Sequence, residues 1–252
     1  MTDRKTIERI AELVTESSFA LAFTGAGIST ESGIPDFRSA GGLWTKVQPV
    51  LFPDYLQSEE SRLEYWQQKC TAFKEFTECD PNPGHRVLAR WEHRGILKRV
   101  ITQNIDGLHQ EAGSQGVIEL HGTLRMIACL ECGAHFDPEP LVDEFFETGV
   151  VPRCKLCGGL VKHATISFGQ SMPEREMQQA ADLCRQCDLI FVLGSSLVVE
   201  PAASFPRLAA NLGAEMIIIN RDPTPQDDLA KIIVREGIGD TLSAVEEVLG
   251  GE

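Results

Sequence analysis

Residues 25–38 read GAGISTESGIPDFR, a glycine-rich turn that continues into a polar loop containing a proline. The apolar run FALAF precedes this stretch at 19–23 and has the composition of a buried strand. Gly25 and Gly27 therefore lie where a strand turns toward a helix, a position at which glycines let a pyrophosphate approach backbone amides. Because the third glycine of the GxGxxG dinucleotide-binding pattern is absent, the pair on its own also fits an ordinary tight turn.

Two more polar loops follow short apolar strands. TQNIDGLH occupies 102–109 after a strand at 99–101, and ELHG occupies 119–122 after the next strand. An open parallel sheet carries its ligand-binding residues at the carboxyl ends of its strands. These two loops and the 25–38 loop therefore predict an α/β fold with a shared ligand site.

The rest of the chain alternates between strands and helices. Helices are predicted near 6–14, 174–187, 201–212 and 241–249, with another capped by Asn82 and closed by Gly95, and strands near 98–102, 116–120, 189–193 and 216–219. This alternation favours βαβ units and a Rossmann-like parallel sheet in a single domain over 1–252. Two modules are expected within that domain: a helical module over 40–80 that covers the site, and a four-cysteine module over 128–160.

The bulk composition limits the class of protein. The chain has 252 residues, a net charge of −14 and 42% hydrophobic residues, enough for one domain with a sizeable core. No apolar run reaches the roughly 18 residues that a membrane span requires. The start, MTDRKTIERI, is charged and unlike a signal peptide, so we expect a cytoplasmic protein without a membrane partner. The negative charge argues against nucleic-acid binding and suits lysine-bearing partners, although acidity also serves solubility; the oligomeric state is left open.

Two CxxC pairs predict a structural metal site. Cys129 and Cys132 are separated from Cys154 and Cys157 by 21 residues, close to the spacing of a zinc ribbon. Four thiolates fill a tetrahedral zinc shell and leave no position for a catalytic water. Without a metal, this small polar module has no visible source of stability. A third CxxC at 184–187 lies in a predicted helix without a second pair, and we expect neither a metal nor a redox function for it.

Taken together, these motifs resemble those of the sirtuin family. The matching strings are GAGISTESGIPDFR at 25–38, TQNIDGLH at 102–109, HG at 121–122, the cysteine pairs 129/132 and 154/157, SFGQ at 167–170, GSSLVVEP at 194–201 and IIN at 218–220. They extend over nearly the whole chain. The resemblance implies an NAD-dependent protein-lysine deacylase that consumes NAD as a cosubstrate, contains one structural Zn²⁺ and acts on acyl-lysine proteins or peptides.

The resemblance also implies which residues surround NAD. The matching positions are Gly25, Ala26, Gly27, Ile34, Asp36, Phe37, Arg38, Gln103, Asn104, Ile105, Asp106, Gly194, Ser195, Ser196, Asn220 and Gly239. Gln103, Asn104 and Asp106 would hold the nicotinamide ribose and carboxamide, while 194–196 and Asn220 would surround the adenosine half. Seen alone, Asn104 and Asp106 also fit turn or capping residues, and it is their contiguity that favours a site.

His121 is the predicted general base. An imidazole with its ordinary pKa near 6.5 suits proton transfer at neutral pH. Sirtuins carry their catalytic histidine at this position, and the resemblance adds Asn104 to the catalytic set. In the mechanism that it implies, the acyl-lysine carbonyl oxygen displaces nicotinamide. His121 then activates a ribose hydroxyl, and the acyl group leaves as O-acyl-ADP-ribose. The other histidines are expected to be ordinary surface or core residues.

The substrate segment and the acyl group are also suggested by the resemblance. Ser167, Phe168 and Gly169 match the segment on which sirtuins dock the substrate backbone by strand addition. Gln170 stands where the family usually has glutamate, a difference expected to alter substrate contacts or charge more than chemistry.

In desuccinylase-type sirtuins a tyrosine and an arginine hold an acidic acyl chain, and the best alignment brings Trp66 and Lys69 near those positions. Lysine cannot reproduce the bidentate contact of arginine with a carboxylate. We therefore expect a preference for acetyl or another uncharged acyl group.

Three other functions use the same features. The pocket could transfer ADP-ribose to a protein or hydrolyse NAD, but the base His121 serves the acyl-transfer steps. The chain could also be a non-catalytic NAD-sensing module, which the presence of Asn104, Asp106 and His121 makes a poor fit. A hydride-transferring dehydrogenase is disfavoured by the absent GxGxxG and by the zinc ribbon.

Overall fold

The computed structural model describes residues 2–36, 42 and 48–250. Its helices are α1 (Arg4–Glu16), α2 (Phe52–Gln57), α3 (Glu59–Thr77), α4 (Pro83–His93), α5 (Leu108–Glu111), α6 (Pro138–Thr148), α7 (Glu174–Cys184), α8 (Ser204–Asn211) and α9 (Ile238–Val248). Its strands are β1 (Ala20–Thr24), β2 (Leu97–Thr102), β3 (Val117–Glu119), β4 (Gly122–Cys129), β5 (His135–Phe136), β6 (Val161–Thr165), β7 (Leu189–Leu193), β8 (Glu215–Ile219) and β9 (Ile232–Val234). Short 3-10 helices cover Ala26–Ser32 and Asp227–Leu229.

A six-stranded parallel sheet in the order β3-β2-β1-β7-β8-β9 forms the centre of the molecule. From β1 the strand order runs outward in one direction through β2 and β3, and from β7 in the other direction through β8 and β9. The order therefore reverses between β1 and β7. Open α/β sheets bind ligands at the carboxyl ends of the strands beside such a reversal, and the predicted Rossmann-like sheet is confirmed.

The two faces of this sheet are covered by different helices. In β1, Ala20 and Ala22 belong to an apolar core with residues of α1, α4 and α9, whereas Leu21 and Phe23 belong to a second core with residues of α7 and α8. Because successive side chains of a strand point to opposite faces, a strand covered on both sides has to be apolar throughout. This explains why FALAF reads as a continuous apolar run.

Local sequence signals fix the helix starts. The Asp3 side chain accepts a hydrogen bond from the Thr6 amide (3.1 Å) and caps α1. Asn82 caps α4 in the same way, with Pro83 in the first turn and the His85 ring completing a capping box. The helices predicted near 6–14 and after Asn82 are both confirmed within a few residues of the predicted ends.

The predicted helical and cysteine modules share one apolar core. Strands β5, β4 and β6 form a small antiparallel sheet, and Trp66 and Phe73 of α3 pack with Ile127, Val142 and Phe145 around it. The cysteine module was expected to be too small to bury a core alone. It obtains its core by packing against the helices that precede it.

Several elements were not predicted from the sequence. They are the strands of the small sheet, helix α6, the short helix α5 and the edge strand β9, which has three residues. Short strands whose pairing partner lies far along the chain carry a weak periodic signal. Within the described ranges, no helix is both long and apolar enough to cross a membrane.

Candidate active site

A cavity of about 740 Å³ lies at the carboxyl ends of β1, β2, β7 and β8, a size typical of ligand sites. Most of the predicted NAD residues line it. They are Gly25, Ala26, Gly27, Asp36, Gln103, Asn104, Ile105, Gly194, Ser195, Ser196 and Asn220, together with His121, Ser167, Phe168 and Gly169. Residues scattered over most of the chain are thus brought to one site.

Five of the predicted NAD-binding residues are not among the described residues that line the cavity. Ile34 is buried among apolar side chains, and Asp106 is buried behind the cavity. The backbone amide of Gly239 donates to the Glu31 carboxylate (3.2 Å) at the start of α9, which holds it beside the cavity rather than in its lining. Phe37 and Arg38 lie outside the described residues.

The glycines after β1 are required by a close backbone contact. The amide of Gly27 donates to the carbonyl oxygen of Gly194 (2.8 Å), and that of Gly25 donates to the carbonyl oxygen of Leu193 (3.0 Å). A Cβ atom on Gly27 would lie 2.6 Å from the Cα atom of Gly194, so a side chain there would push the two turns apart. The turn after β1 and the turn after β7 therefore form one continuous backbone surface at the cavity.

Asn104 and Asp106 belong to one buried hydrogen-bond network. The Asn104 side-chain nitrogen donates to the Gly25 carbonyl oxygen (3.2 Å) and to Ser29 Oγ (3.1 Å). Ser29 Oγ in turn donates to Asp106 (2.7 Å), whose other oxygen accepts from the Leu108 amide (2.9 Å). Burial raises the pKa of Asp106, and its hydrogen bonds with Leu108 and Ser29 oppose that rise. Asp106 thus fixes the loop that presents Asn104.

A second network holds the same loop from below. Thr24 Oγ1 donates to Thr102 Oγ1 (2.8 Å), which also accepts from the Asn104 amide (3.0 Å). Since the Thr24 proton is used in this way, the contact of 2.9 Å between His109 Nε2 and Thr24 Oγ1 has the histidine as donor. Burial lowers the pKa of His109 well below its ordinary value, which keeps this ring neutral.

His121 has the protonation state of a base. Its Nδ1 lies 3.0 Å from the Gln103 carbonyl oxygen, which can only accept a hydrogen bond, so the proton is on Nδ1 and Nε2 is free to take one. Burial lowers the pKa of His121, and the bond to Gln103 opposes part of that effect. Gly122 follows in a left-handed conformation (φ +69°), and a Cβ atom there would meet the Ala164 carbonyl oxygen at 1.9 Å.

Gln103 and Asn220 organise the opposite wall of the cavity. The side chain of Gln103 donates to Ser195 Oγ (2.8 Å), which joins the loop after β2 to the loop after β7. The Asn220 side chain donates to the Asp222 carbonyl oxygen (2.7 Å), and Arg235 donates to the Asn220 carbonyl oxygen (2.9 Å). The predicted serine and asparagine are therefore held by the backbone and by side chains that reach across from neighbouring loops.

The predicted substrate segment forms a turn between His121 and α2. The Ile166 amide donates to the His121 carbonyl oxygen (2.8 Å), and the Phe52 amide donates to the Phe168 carbonyl oxygen (2.9 Å). Phe168 remains 45% exposed. Of the two residues considered for acyl recognition, Lys69 lines the cavity, whereas Trp66 is fully buried and donates to the Val161 carbonyl oxygen (3.2 Å).

The four predicted metal ligands converge. All four Sγ atoms lie within 4.8 Å of one another, with 3.6 Å between Cys129 and Cys157 and 3.7 Å between Cys132 and Cys154. Zinc–sulfur bonds of about 2.3 Å separate tetrahedral ligands by roughly 3.8 Å. Backbone amides also point at the sulfurs, including that of Gly159 at Cys157 (3.4 Å). The set therefore fits Zn²⁺ with no position left for a substrate.

Sequence reasoning missed the residues behind the cavity. Ser29 and Thr102 accept hydrogen bonds from Asn104 itself. Thr24 supports Thr102, and His109 in turn bonds to Thr24. Arg125 of β4 does the same from outside by donating to the Asp106 carbonyl oxygen (2.8 Å). A usable signal was present for Thr24 and Thr102, because each places a hydroxyl group directly after an apolar run, ALAF in β1 and VI in β2.

Comparisons with known proteins agree with this geometry. A model of the Sir2 family matches residues 25–201. The NAD-dependent protein deacetylase of Rhodopseudomonas palustris is 45% identical over 238 residues, covering 94% of this chain and 94% of the relative. The NAD-dependent protein deacetylase of Thermodesulfovibrio yellowstonii is 44% identical over 246 residues, covering 98% and 96%.

Solved structures match over nearly the whole length. A structure of a Sir2 enzyme superposes with a TM-score of 0.86 at 40% identity and covers 98% of this chain and 99% of the other. A Sir2 complex with p53 peptide and NAD+ gives a TM-score of 0.88 at 34% identity, with coverage of 97% and 98%. Sir2 bound to acetylated peptide gives 0.89 at 33% identity, with coverage of 98% and 99%.

The cysteine geometry predicts that the metal maintains structure. We expect one zinc ion per chain by elemental analysis, and Cys154→Ser should abolish zinc binding and lower the thermal unfolding midpoint, because the thiolates close a module with little core of its own. Cys184→Ser, which removes a buried cysteine far from this cluster, serves as the matched control and should retain zinc. Full zinc content in Cys154→Ser would contradict the assignment.

Proposed function

This chain belongs to the Sir2 family, and from that membership we propose that it is an NAD-dependent protein-lysine deacetylase whose active site is the cavity described above. The observation that carries the proposal is the state of His121. A neutral histidine with a free Nε2 lines the same cavity as Asn104 and the substrate turn at 167–169. A base beside both a nucleotide surface and a peptide surface is what acyl transfer to a ribose hydroxyl requires.

Different residues of the cavity wall bind the different portions of NAD. When bound, NAD supplies the ADP-ribosyl group that accepts the acyl group, and nicotinamide is released. In our proposal the backbone at Gly25, Gly27 and Gly194 contacts the phosphates, because these glycines have no side chains to keep the phosphates at a distance. Ser195, Ser196 and Asn220 hold the adenosine half, and Asn104 orients the ribose next to nicotinamide.

His121 moves the proton on which acyl transfer depends. Its Nδ1 is fixed on the Gln103 carbonyl oxygen, so the ring presents one tautomer and Nε2 accepts a proton from a ribose hydroxyl. The acyl-lysine peptide lies along 167–169. The bond between ribose and nicotinamide and the amide bond of the acyl-lysine both break and one solvent water molecule is consumed, so the products are nicotinamide, the deacylated lysine and O-acetyl-ADP-ribose. Lys69 in the cavity wall, rather than an arginine, supports an uncharged acyl group.

The surface and the thiols support the remaining parts of the proposal. The net charge of −14 favours lysine-bearing protein partners over nucleic acid. Four zinc-binding thiols have to stay reduced, which fits a cytoplasmic location.

Gly27→Ala tests the nucleotide surface. The added Cβ atom has to displace Gly194, whose backbone lines the cavity, so we expect at least a tenfold loss of NAD affinity by titration calorimetry. Gly95→Ala controls for destabilisation alone: its left-handed backbone (φ +73°) makes alanine unfavourable, but it lies outside the cavity lining and has nothing within 4 Å of its Cβ position, so NAD affinity should be retained. NAD affinity unchanged in Gly27→Ala would remove the glycine turn from the binding site.

His121→Ala tests the assignment of the reaction. With NAD and an acetyl-lysine peptide, mass spectrometry of the wild type should detect deacetylated peptide, nicotinamide and O-acetyl-ADP-ribose, and the variant should lose about 10²–10⁴-fold of this activity. His93→Ala, at an exposed position on α4, should behave as the wild type. Nicotinamide release without deacetylated peptide would favour ADP-ribosyl transfer or NAD hydrolysis, and faster desuccinylation than deacetylation would refute the uncharged acyl preference.

The pH dependence tests the base directly. The lowered pKa of His121 means that Nε2 stays unprotonated below the ordinary value of 6.5. We therefore expect kcat/KM for NAD, measured at saturating peptide, to hold down to pH 6.5 and to fall only as the pH drops through the lowered pKa. The residual activity of His121→Ala should lack this acidic limb. An acidic limb centred above pH 7 in the wild type would count against His121 as the titrating group.

A further inference from the structure

Lys162 is a buried lysine directly beneath the substrate turn, and the chemistry described above does not use it. Its side chain is 1% exposed. The ammonium donates to the carbonyl oxygens of His163 (3.1 Å) and Thr165 and reaches Oε1 of Gln170 at 3.4 Å. All of its acceptors therefore lie in the segment 163–170, which ends in the turn that faces the peptide.

No carboxylate balances this charge in the part of the chain that the structure describes. Buried lysines are usually paired with an acidic group. Lys162 instead donates to the side-chain amide oxygen of Gln170, a neutral acceptor. The ammonium also lies over the ring of Tyr65, 5.2 Å from the ring centroid. The hydrogen bonds of Lys162 are thus made with neutral groups.

Gln170 connects Lys162 to the backbone on which the peptide docks. Its side-chain Oε1 accepts hydrogen bonds from Lys162 Nζ and from the Ser167 backbone amide (3.1 Å). The backbone amide of Gln170 donates to the Ser167 carbonyl oxygen (3.0 Å). Lys162 holds the other end of the same turn through the Thr165 carbonyl oxygen. The position of the Ser167 backbone therefore depends on this lysine.

We propose that Lys162 and Gln170 are positioning residues for the acyl-lysine peptide, which act by fixing the backbone at 167–169 and so control peptide affinity rather than the chemical step. This inference rests on the proposed function, because it assumes that an acyl-lysine peptide lies along that turn. Neither residue is assigned a contact with the reacting atoms.

The charge on Lys162 should make peptide binding depend on pH. Burial lowers the pKa of Lys162 to about 7, and the charge of Lys69 contributes to the lowering. Below that pH the ammonium makes charge-assisted hydrogen bonds to the turn, and above it the neutral amine makes weaker ones. Raising the pH through 7 should therefore weaken peptide binding, in the opposite direction to the acidic limb expected from His121.

Three other titratable groups near Lys162 are candidate causes of a pH-dependent change in peptide binding. Burial lowers the pKa of His163 to about 4 and raises that of Tyr65, so neither changes charge between pH 6 and 9. Burial also lowers the pKa of Lys69 to about 8, which makes it the competing explanation among the described residues. The two lysines differ in that only Lys162 has a hydrogen bond to Gln170.

The test measures binding of an acetyl-lysine peptide without other titratable groups, by fluorescence anisotropy, together with peptide KM, NAD KM and kcat between pH 6 and 9. In the wild type, peptide Kd and KM should rise about three- to tenfold, the effect of replacing charge-assisted hydrogen bonds by neutral ones. NAD KM should not follow. Gln170→Glu should flatten the rise, because a carboxylate beside Nζ keeps the ammonium charged.

Three further variants separate the explanations. Lys162→Met should bind peptide weakly at every pH, with KM changed more than kcat. Lys69→Met should keep the rise in peptide Kd but move its midpoint to higher pH, because the charge of Lys69 no longer lowers the pKa of Lys162. Lys231→Met, at the exposed far edge of the sheet, should match the wild type. A wild-type peptide Kd that is independent of pH, or a Gln170→Glu profile equal to that of the wild type, would overturn the proposal. A wild type that neither binds nor deacylates the peptide would instead refute the proposed function.

Discussion

The backbone of the turn after β1 touches the backbone of the turn after β7, and the rest of the site depends on that contact. Gly27 and Gly194 approach so closely that neither turn has room for a side chain on the facing side. These two strands are neighbours at the point where the strand order reverses. The contact therefore joins the two halves of this parallel sheet, in which the order of the strands proceeds outward on opposite sides, and it leaves their loops free to form the cavity between them.

Buried hydrogen bonds then determine where the polar side chains lie. The loop after β2 is held by the hydroxyl groups of Thr24 and Thr102 on one side and by Ser29 and Asp106 on the other. Because each buried partner is satisfied, the loop has few alternative positions of similar energy. Asn104 and the carbonyl oxygen that orients His121 inherit their position from these partners.

The sequence predicted the parts of the structure that depend on neighbouring residues. β7 was expected at 189–193 because five consecutive apolar residues follow Asp188 and end at Gly194, and the zinc cluster was expected from two pairs at a characteristic spacing. Contacts between distant residues were not accessible in this way. The Gly239 amide is occupied by Glu31, 208 residues earlier, and no linear pattern indicates that pairing. The same holds for His109 and Thr24, which meet only because β1 and β2 are adjacent.

Gln103 contacts both ends of the cavity through different atoms. Its carbonyl oxygen holds the ring of His121, its side-chain nitrogen holds Ser195, and its amide is bonded to the Thr24 carbonyl oxygen (3.0 Å). The orientation of the His121 ring and the shape of the opposite wall thus both depend on one residue. A substitution that repacks Ser195 would also reorient the His121 ring, so the two sides of this cavity cannot be redesigned independently.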